Sequence, residues 1–438
     1  MKKALLSVAA VAFAAPSFFG LASNVHAADK VTLDLATLES AYGKDMWPEI
    51  VKAYQEVNPN VEIKLTQEKE LEDALTPRLQ SKDFPDVVLL AQSRPKALPE
   101  TLIKDKALSD LSDVLGLKVP GEEKTVKDKL LPGFTESTST NPYNDGKTYL
   151  MPMFYSPTGL FYNKALFKEK GWEVPKTWDA MWKLAEEAKK ENIALFTYPT
   201  AGYLDGFFFS NIYSAGGADL FAKAMNYDPA VWGGAELTTV FETLGKLAEN
   251  TESTTVANAN KDGFTKNQQL LLDNKALFMP NGTWVVDEMK DVPRAKGFEW
   301  GMAPVPSVKE GGDRYAYTFL EHVWVPKEAK HQKEAKEFIS FLYSDKAAEI
   351  FMKHGAVQPI KDLSAKLPAD KQVFYNIYND GVLPGMGGFV STEAIEGVKL
   401  SDLYDSFNSV VSGDLKVKDW QANVVEIMKQ FHEVLTKN

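Results

Sequence analysis

GKTYLMPMFYSPTGLFYNKALFKEKGWEVPKTWD, residues 146–179, is the stretch whose reading decides the fold. Lys147 to Phe154 is apolar and aromatic and reads as a strand, but Pro152 can supply no ladder N–H, which points to an edge or a crossing. A second apolar run, Gly159 to Tyr162, follows Ser156-Pro157. Asn163 then caps a short helix through Phe167, Gly171 ends it, and Pro175 with Thr177 opens another. A chain that changes character this often in so short a span leaves one sheet and enters another.

Working outward towards the N-terminus, Val31, Leu33 and Leu35 alternate with polar residues, as do Val61, Ile63 and Leu65, so both segments read as strands. Between them Trp47, Ile50, Val51, Tyr54 and Val57 recur at helical spacing, and Asn58-Pro59-Asn60 stops the run. Strand, helix and strand in that order open an α/β lobe. The run Phe84 to Ala91 is continuously apolar after Asp86, the mark of a strand buried on both faces in a parallel sheet. Ligands of open α/β sheets bind beyond the carboxyl ends of strands, which makes Gln92, Ser93 and Arg94 candidates, with Glu39 after the first strand. Residues 112–146 are polar and read as surface helices and a loop on the first lobe, and the stripe Trp178, Met181, Trp182 and Ala185 reads as core.

The 438 residues, 44% hydrophobic, carry ample material for a large core and for two or three domains. Lys2 and Lys3 precede an apolar run from Ala4 to Ala22 and the small-residue pattern Val25-His26-Ala27, so residues 1–27 read as a signal peptide. Removing them takes away two lysines and no acid and moves the net charge from -11 to -13, which argues against a nucleic-acid partner. There is no cysteine, so neither a disulfide nor a lipidated N-terminus is expected; the reading is a soluble periplasmic monomer without a membrane anchor.

The order and spacing of Gly-Lys-x-Tyr, Phe161-Tyr-Asn-Lys164 and Pro175-Lys-Thr-Trp178 resemble the maltodextrin-binding-like sugar-binding proteins of ABC importers. Asn281-Gly-Thr-Trp284 and Trp300-Gly-Met-Ala-Pro-Val-Pro306 extend the resemblance. It implies an α/β, two-lobed periplasmic-binding-protein fold with a hinge of three crossings. Residues 28–153 would form the first lobe, 154–303 the second, 304–355 a return to the first and 356–438 a return to the second. It also implies that Trp284 stacks on a sugar beside Asn281, that Tyr155 lies in the first hinge, that Glu321 and His322 stand where a strand meets the cleft, and that the loop carrying Gly388 faces the ligand.

The chemistry of the residues fits such a ligand. Pyranose rings offer C–H faces to aromatic rings, and their hydroxyls need directional partners. The segment Leu195 to Gly217 is rich in aromatics and broken by glycine, and it supplies Phe209 and Asn211, with Trp232 beyond it. Only four arginines occur, the favoured partners of carboxylates and phosphates, so a neutral di- or oligosaccharide is expected over a charged sugar. The string Asn211 to Gly217 is similar to the branch that binds N-acetylglucosamine and chitobiose. No nucleophile elbow, no His-Glu-x-x-His and no Walker lysine occurs, so no catalytic residue, metal or cofactor is expected. The implied partner is an ABC permease; a polysaccharide-processing enzyme or a chemoreceptor-docking sugar binder remain as alternatives.

Overall fold

The computed structural model describes residues 30–437 apart from 41, 93, 95, 144 and 391–394. The expected signal peptide and Ser93 lie outside the described residues. Among the described residues nine strands join into one mixed system with the order β2-β1-β3-β8-β4-β6-β5, while β7 pairs with β4 and β9 with β8. They are β1 (Val31–Leu38), β2 (Val61–Glu68), β3 (Val87–Leu89), β4 (Met151–Asn163), β5 (Ala194–Phe196), β6 (Ala276–Gly282), β7 (Trp300–Ala303), β8 (Tyr315–Trp324) and β9 (Leu383–Gly385).

The first lobe is built on β1 with β2 and β3 parallel on either side of it. Val87, Val88 and Leu89 are all buried, as a strand covered on both faces must be. The helix Met46–Val57 buries Trp47, Ile50 and Tyr54 against this sheet, each contributing about 1.5–3 kcal/mol of hydrophobic stabilisation. Val57, expected on the same stripe, is exposed at the helix end, where Asn58 N–H caps the carbonyl of Tyr54 at 2.9 Å.

Residues 146–179 hold the largest departure from expectation. Their two short strands are one continuous strand, β4, of 13 residues. Pro152 is accommodated because the pairing with β8 shifts register between Pro152 and Phe154, a bulge where a missing N–H costs nothing. From Met151 to Pro157 β4 pairs with β8; from Thr158 it pairs with β6 and, from Leu160, with β7 as well. The crossing therefore falls at Pro157–Thr158, a few residues after the expected boundary at 153. The second crossing is also later than expected: β8 begins beside β9 at Tyr315 to Tyr317 and only from Thr318 pairs with β4. The third passage is not a sharp crossing at 355. Residues Ala356 to Val382 pack along the junction with core from both sides, including Phe154 and Phe161.

Beyond the crossing the caps follow the sequence closely. Asn163 accepts the N–H of Ala165 at 3.0 Å, Gly171 closes the helix in the left-handed region, and Thr177 accepts the N–H of Ala180 at 3.2 Å. The second core gathers the helices Trp178–Lys190, Leu204–Met225, Ala235–Ala248 and Val417–Lys437 around Phe208, Phe241 and Trp420. Among the described residues no helix is long and apolar enough to cross a membrane.

Candidate functional site

Where β4 and β8 pass between the lobes, a cavity of about 220 Å³ opens against the second lobe. Its walls come from Thr158 and Gly159 of β4, Pro280 and Asn281 at the end of β6, Phe319 of β8, and the turn that leads into the helix Leu204–Met225, with Tyr203 and Asp205. Trp284 stands at the rim. Trp284 is 39% and Phe319 40% exposed, unusual for rings of this size, and their centroids lie 5.6 Å apart in an edge arrangement. Tyr317 lies edge-on to Phe319 at 5.3 Å on the same strand face. The indole N–H of Trp284 is directed at the Tyr203 hydroxyl, and burial raises that phenol above its ordinary value.

Two polar side chains line these aromatic walls, Asn281 buried and Asp205 half-buried. Asn281 is 3% exposed; its Oδ1 accepts the N–H of Gly282 at 2.9 Å, and its Nδ2 has no partner. Asp205 accepts the N–H of Gly206. Burial pushes its carboxyl up to about 6, against the pull of that amide. Thr158 donates to the carbonyl of Tyr317 at 2.8 Å and so spends its proton on the backbone rather than on the cavity.

On the first-lobe side the same face of β8 continues from Phe319 to Glu321, because alternate residues of a strand share a face. Tyr42 donates to Glu321 Oε1 at 2.8 Å. Burial raises the Glu321 carboxyl to about 7, opposed by the Tyr42 hydrogen bond and the charge of Arg94. Arg94 is held in a fork on Glu72 at 2.7 and 3.1 Å. Gln92 is half-buried at the end of β3, and Glu39, after β1, forms an ion pair with Lys69 at 3.6 Å. Glu39, Gln92 and Arg94 thus do lie at the carboxyl ends of the first-lobe strands, as the strand-end rule requires.

Five of the expected contacts are core residues instead. Trp232 is fully buried, donates its indole N–H to the carbonyl of Ala224 at 2.9 Å and stacks near Phe208 and Phe389. Phe209 and Asn211 lie inside the helix Leu204–Met225, which is covered on nearly all sides, so only its first turn reaches the cavity. Asn211 Nδ2 is spent on the carbonyl of Phe207 at 2.9 Å. His322 alternates with Glu321 and points the other way, buried, with Nε2 at 2.9 Å from the Ser139 hydroxyl; burial lowers its imidazole to about 3. Tyr155 is buried edge-on between Phe134 and Tyr375, each 5.1 Å away. Gly388 is half-buried, and the neighbouring Gly387 carbonyl accepts the Tyr317 hydroxyl at 2.7 Å, behind the ring that supports Phe319.

The cavity brings together Asn281 and Trp284 from the expected set and adds Tyr203, Asp205 and Phe319. The aromatic run Leu195 to Gly217 reaches the cavity through the turn before the helix and its first turn, not through the helix body. Among the described residues no cluster of three or more metal-ligating side chains occurs.

Residues 49–374 match the model of the bacterial extracellular solute-binding protein family. The chain belongs to that family. A diacetylchitobiose binding protein of Streptomyces coelicolor is 26% identical to this solute-binding protein over 434 residues, 95% of this chain and 87% of the relative. A multiple sugar-binding protein of Streptococcus mutans is 25% identical over 330 residues, 73% of each chain. The unliganded structure of RafE from Streptococcus pneumoniae superposes with a TM-score of 0.70 at 18% identity, covering 96% of this chain and all of that one. The likeness to RafE establishes the two-lobed fold. The relatives are solute-binding proteins and not enzymes, and the solute-binding protein described here is likewise a binder.

Proposed function

We propose that this solute-binding protein captures a neutral di- or oligosaccharide between its lobes and delivers it to the membrane permease of an ABC importer, after export by residues 1–27. The observation that carries the reading is the exposed pair of rings, Trp284 and Phe319, on a cavity that also holds the buried amide of Asn281 and the half-buried carboxyl of Asp205. Rings at a rim and hydrogen-bonding groups at depth are what a sugar needs. Glu321, on the same face of β8 as Phe319 and hydrogen-bonded to Tyr42, would close on the other side of the ligand. A sugar that touches both lobes binds the closed form more tightly and shifts the population towards it, and that closed form is what the permease reads.

Two kinds of support narrow the class. The relatives from Streptomyces coelicolor and Streptococcus mutans are both named for sugars, and the one aligned over 95% of this chain is named for diacetylchitobiose. We therefore assign the ligand to the N-acetylglucosamine and chitobiose type. Calorimetric titration of residues 28–438 with diacetylchitobiose, cellobiose, maltotriose, raffinose, an amino acid and a polyamine tests this. Micromolar or tighter binding of diacetylchitobiose that Trp284→Ala weakens about tenfold or more is the expected result. Binding of the amino acid or polyamine with no sugar binding overturns the carbohydrate reading.

A further inference from the structure

Asn281 and Asp205 share an arrangement that aromatic stacking does not require. Each is pinned by the backbone N–H of the next residue: Gly282 on Asn281 Oδ1 and Gly206 on Asp205 Oδ1. The Gly282 contact fixes which end of the Asn281 amide is which, leaving the Nδ2 donor buried without a partner. On Asp205 the second oxygen accepts no hydrogen bond from any described residue, leaving an acceptor on the same cavity. An unpaired buried amide donor costs about 1–3 kcal/mol, a cost that a ligand acceptor relieves. The cavity wall thus holds one fixed donor on β6 and one fixed acceptor at the start of the helix Leu204–Met225.

We propose that Asn281 and Asp205 together select the ligand by its secondary amide, Asn281 donating to the acetamido carbonyl and Asp205 accepting the acetamido N–H. The proposal rests on the N-acetylated reading of the ligand given above and names the residues that enforce it. A hydroxyl can satisfy either residue singly, but a secondary amide carries a donor and an acceptor whose polarity cannot be exchanged. A wall with one fixed donor and one fixed acceptor therefore discriminates between acetamido and hydroxyl sugars, because the single hydroxyl that replaces an acetamido group satisfies one of the two residues and leaves the other unpaired.

The test compares diacetylchitobiose with cellobiose, which has the same β-1,4 linkage and hydroxyls in place of the acetamido groups. For the unaltered protein the expected ratio of dissociation constants is about 30-fold or more in favour of diacetylchitobiose. Asn281→Asp keeps the acceptor for Gly282 N–H and removes the donor, and Asp205→Asn keeps the acceptor for Gly206 N–H and can present a donor where the acceptor stood. Each is expected to reduce the ratio to about threefold or less, chiefly by weakening diacetylchitobiose, while cellobiose affinity changes less. Diacetylchitobiose binding with an unchanged ratio in both variants overturns the residue assignment and leaves the ligand class standing. Equal or tighter binding of cellobiose, maltotriose or raffinose by the unaltered protein overturns both the ligand class and the assignment. The ratio in the unaltered protein decides that second point even where a variant fails to fold.

Discussion

The six-membered ring of Trp284 lies against the backbone of Gly282, so closely that a Cβ built on residue 282 would fall among the ring atoms. Gly282 is thus the seat of the rim ring. The clash is with the far end of a side chain that is 39% exposed and can move outward by giving up its contacts with Tyr203 and Phe319. Gly282→Ala is therefore expected to displace the ring at little cost in stability. Sugar affinity should fall about tenfold, the equivalent of about 1.4 kcal/mol, with the unliganded melting temperature nearly unchanged. Calorimetric titration alongside a thermal melt checks both halves.

Trp232 makes the opposite prediction. It is fully buried and hydrogen-bonded within the second core, so Trp232→Ala should cost about 3–5 kcal/mol of unfolding free energy. Trp284→Ala should cost little stability and much affinity. Denaturant melts and sugar titrations of the two variants will separate core tryptophan from rim tryptophan.

Arg94 holds the side chain of Glu72, which is 1% exposed. Arg94→Ala would leave that carboxylate buried without its charge partner, at an expected cost of about 3–5 kcal/mol. Urea unfolding of Arg94→Ala and of the double variant Arg94→Ala, Glu72→Leu checks the mechanism: the second change should recover most of the loss.

Glu321 and His322, neighbours on β8, should bias the pH dependence of stability in opposite directions. The Glu321 carboxyl is raised to about 7 by burial, so between about 4.3 and 7 the folded protein binds a proton that the unfolded chain has released. Stability from this residue falls as pH rises through that window. Glu321→Gln should stabilise by about 1–3 kcal/mol at pH 8 and have little effect at pH 4. His322 is lowered to about 3 by burial, so between about 6.5 and 3 the unfolded chain binds the extra proton and stability falls as pH falls. His322→Gln should flatten that acid limb. Denaturant melts from pH 4 to 8 on both variants read the two slopes.

Local signals in the sequence suffice where the physics is local. Asn163, Gly171 and Thr177 do what their side chains or conformational freedom predict, because a cap is settled within four residues. The strand at Val87 to Leu89 was legible from its continuous apolarity. Pro152 and Pro157 misled, since the sequence cannot show that a register shift spares the first and that the partner strand changes immediately after the second. Phe209, Asn211 and Trp232 were misplaced because sugar walls and buried helix faces share an aromatic composition, and only packing distinguishes them. Phe319 gave no warning at all: its exposure depends on β8 crossing between the lobes, a property of topology rather than of any motif.

The shared strand β4 carries a further consequence. Its first half completes one lobe's sheet and its second half the other's, so neither lobe owns a whole sheet. A cut at Pro157–Thr158 would leave both fragments with raw, unpaired edges, the surfaces from which aggregation starts. β4 therefore acts as a beam through the waist of the molecule. The two halves are expected to melt as one cooperative unit, and neither is a module that engineering could graft elsewhere intact.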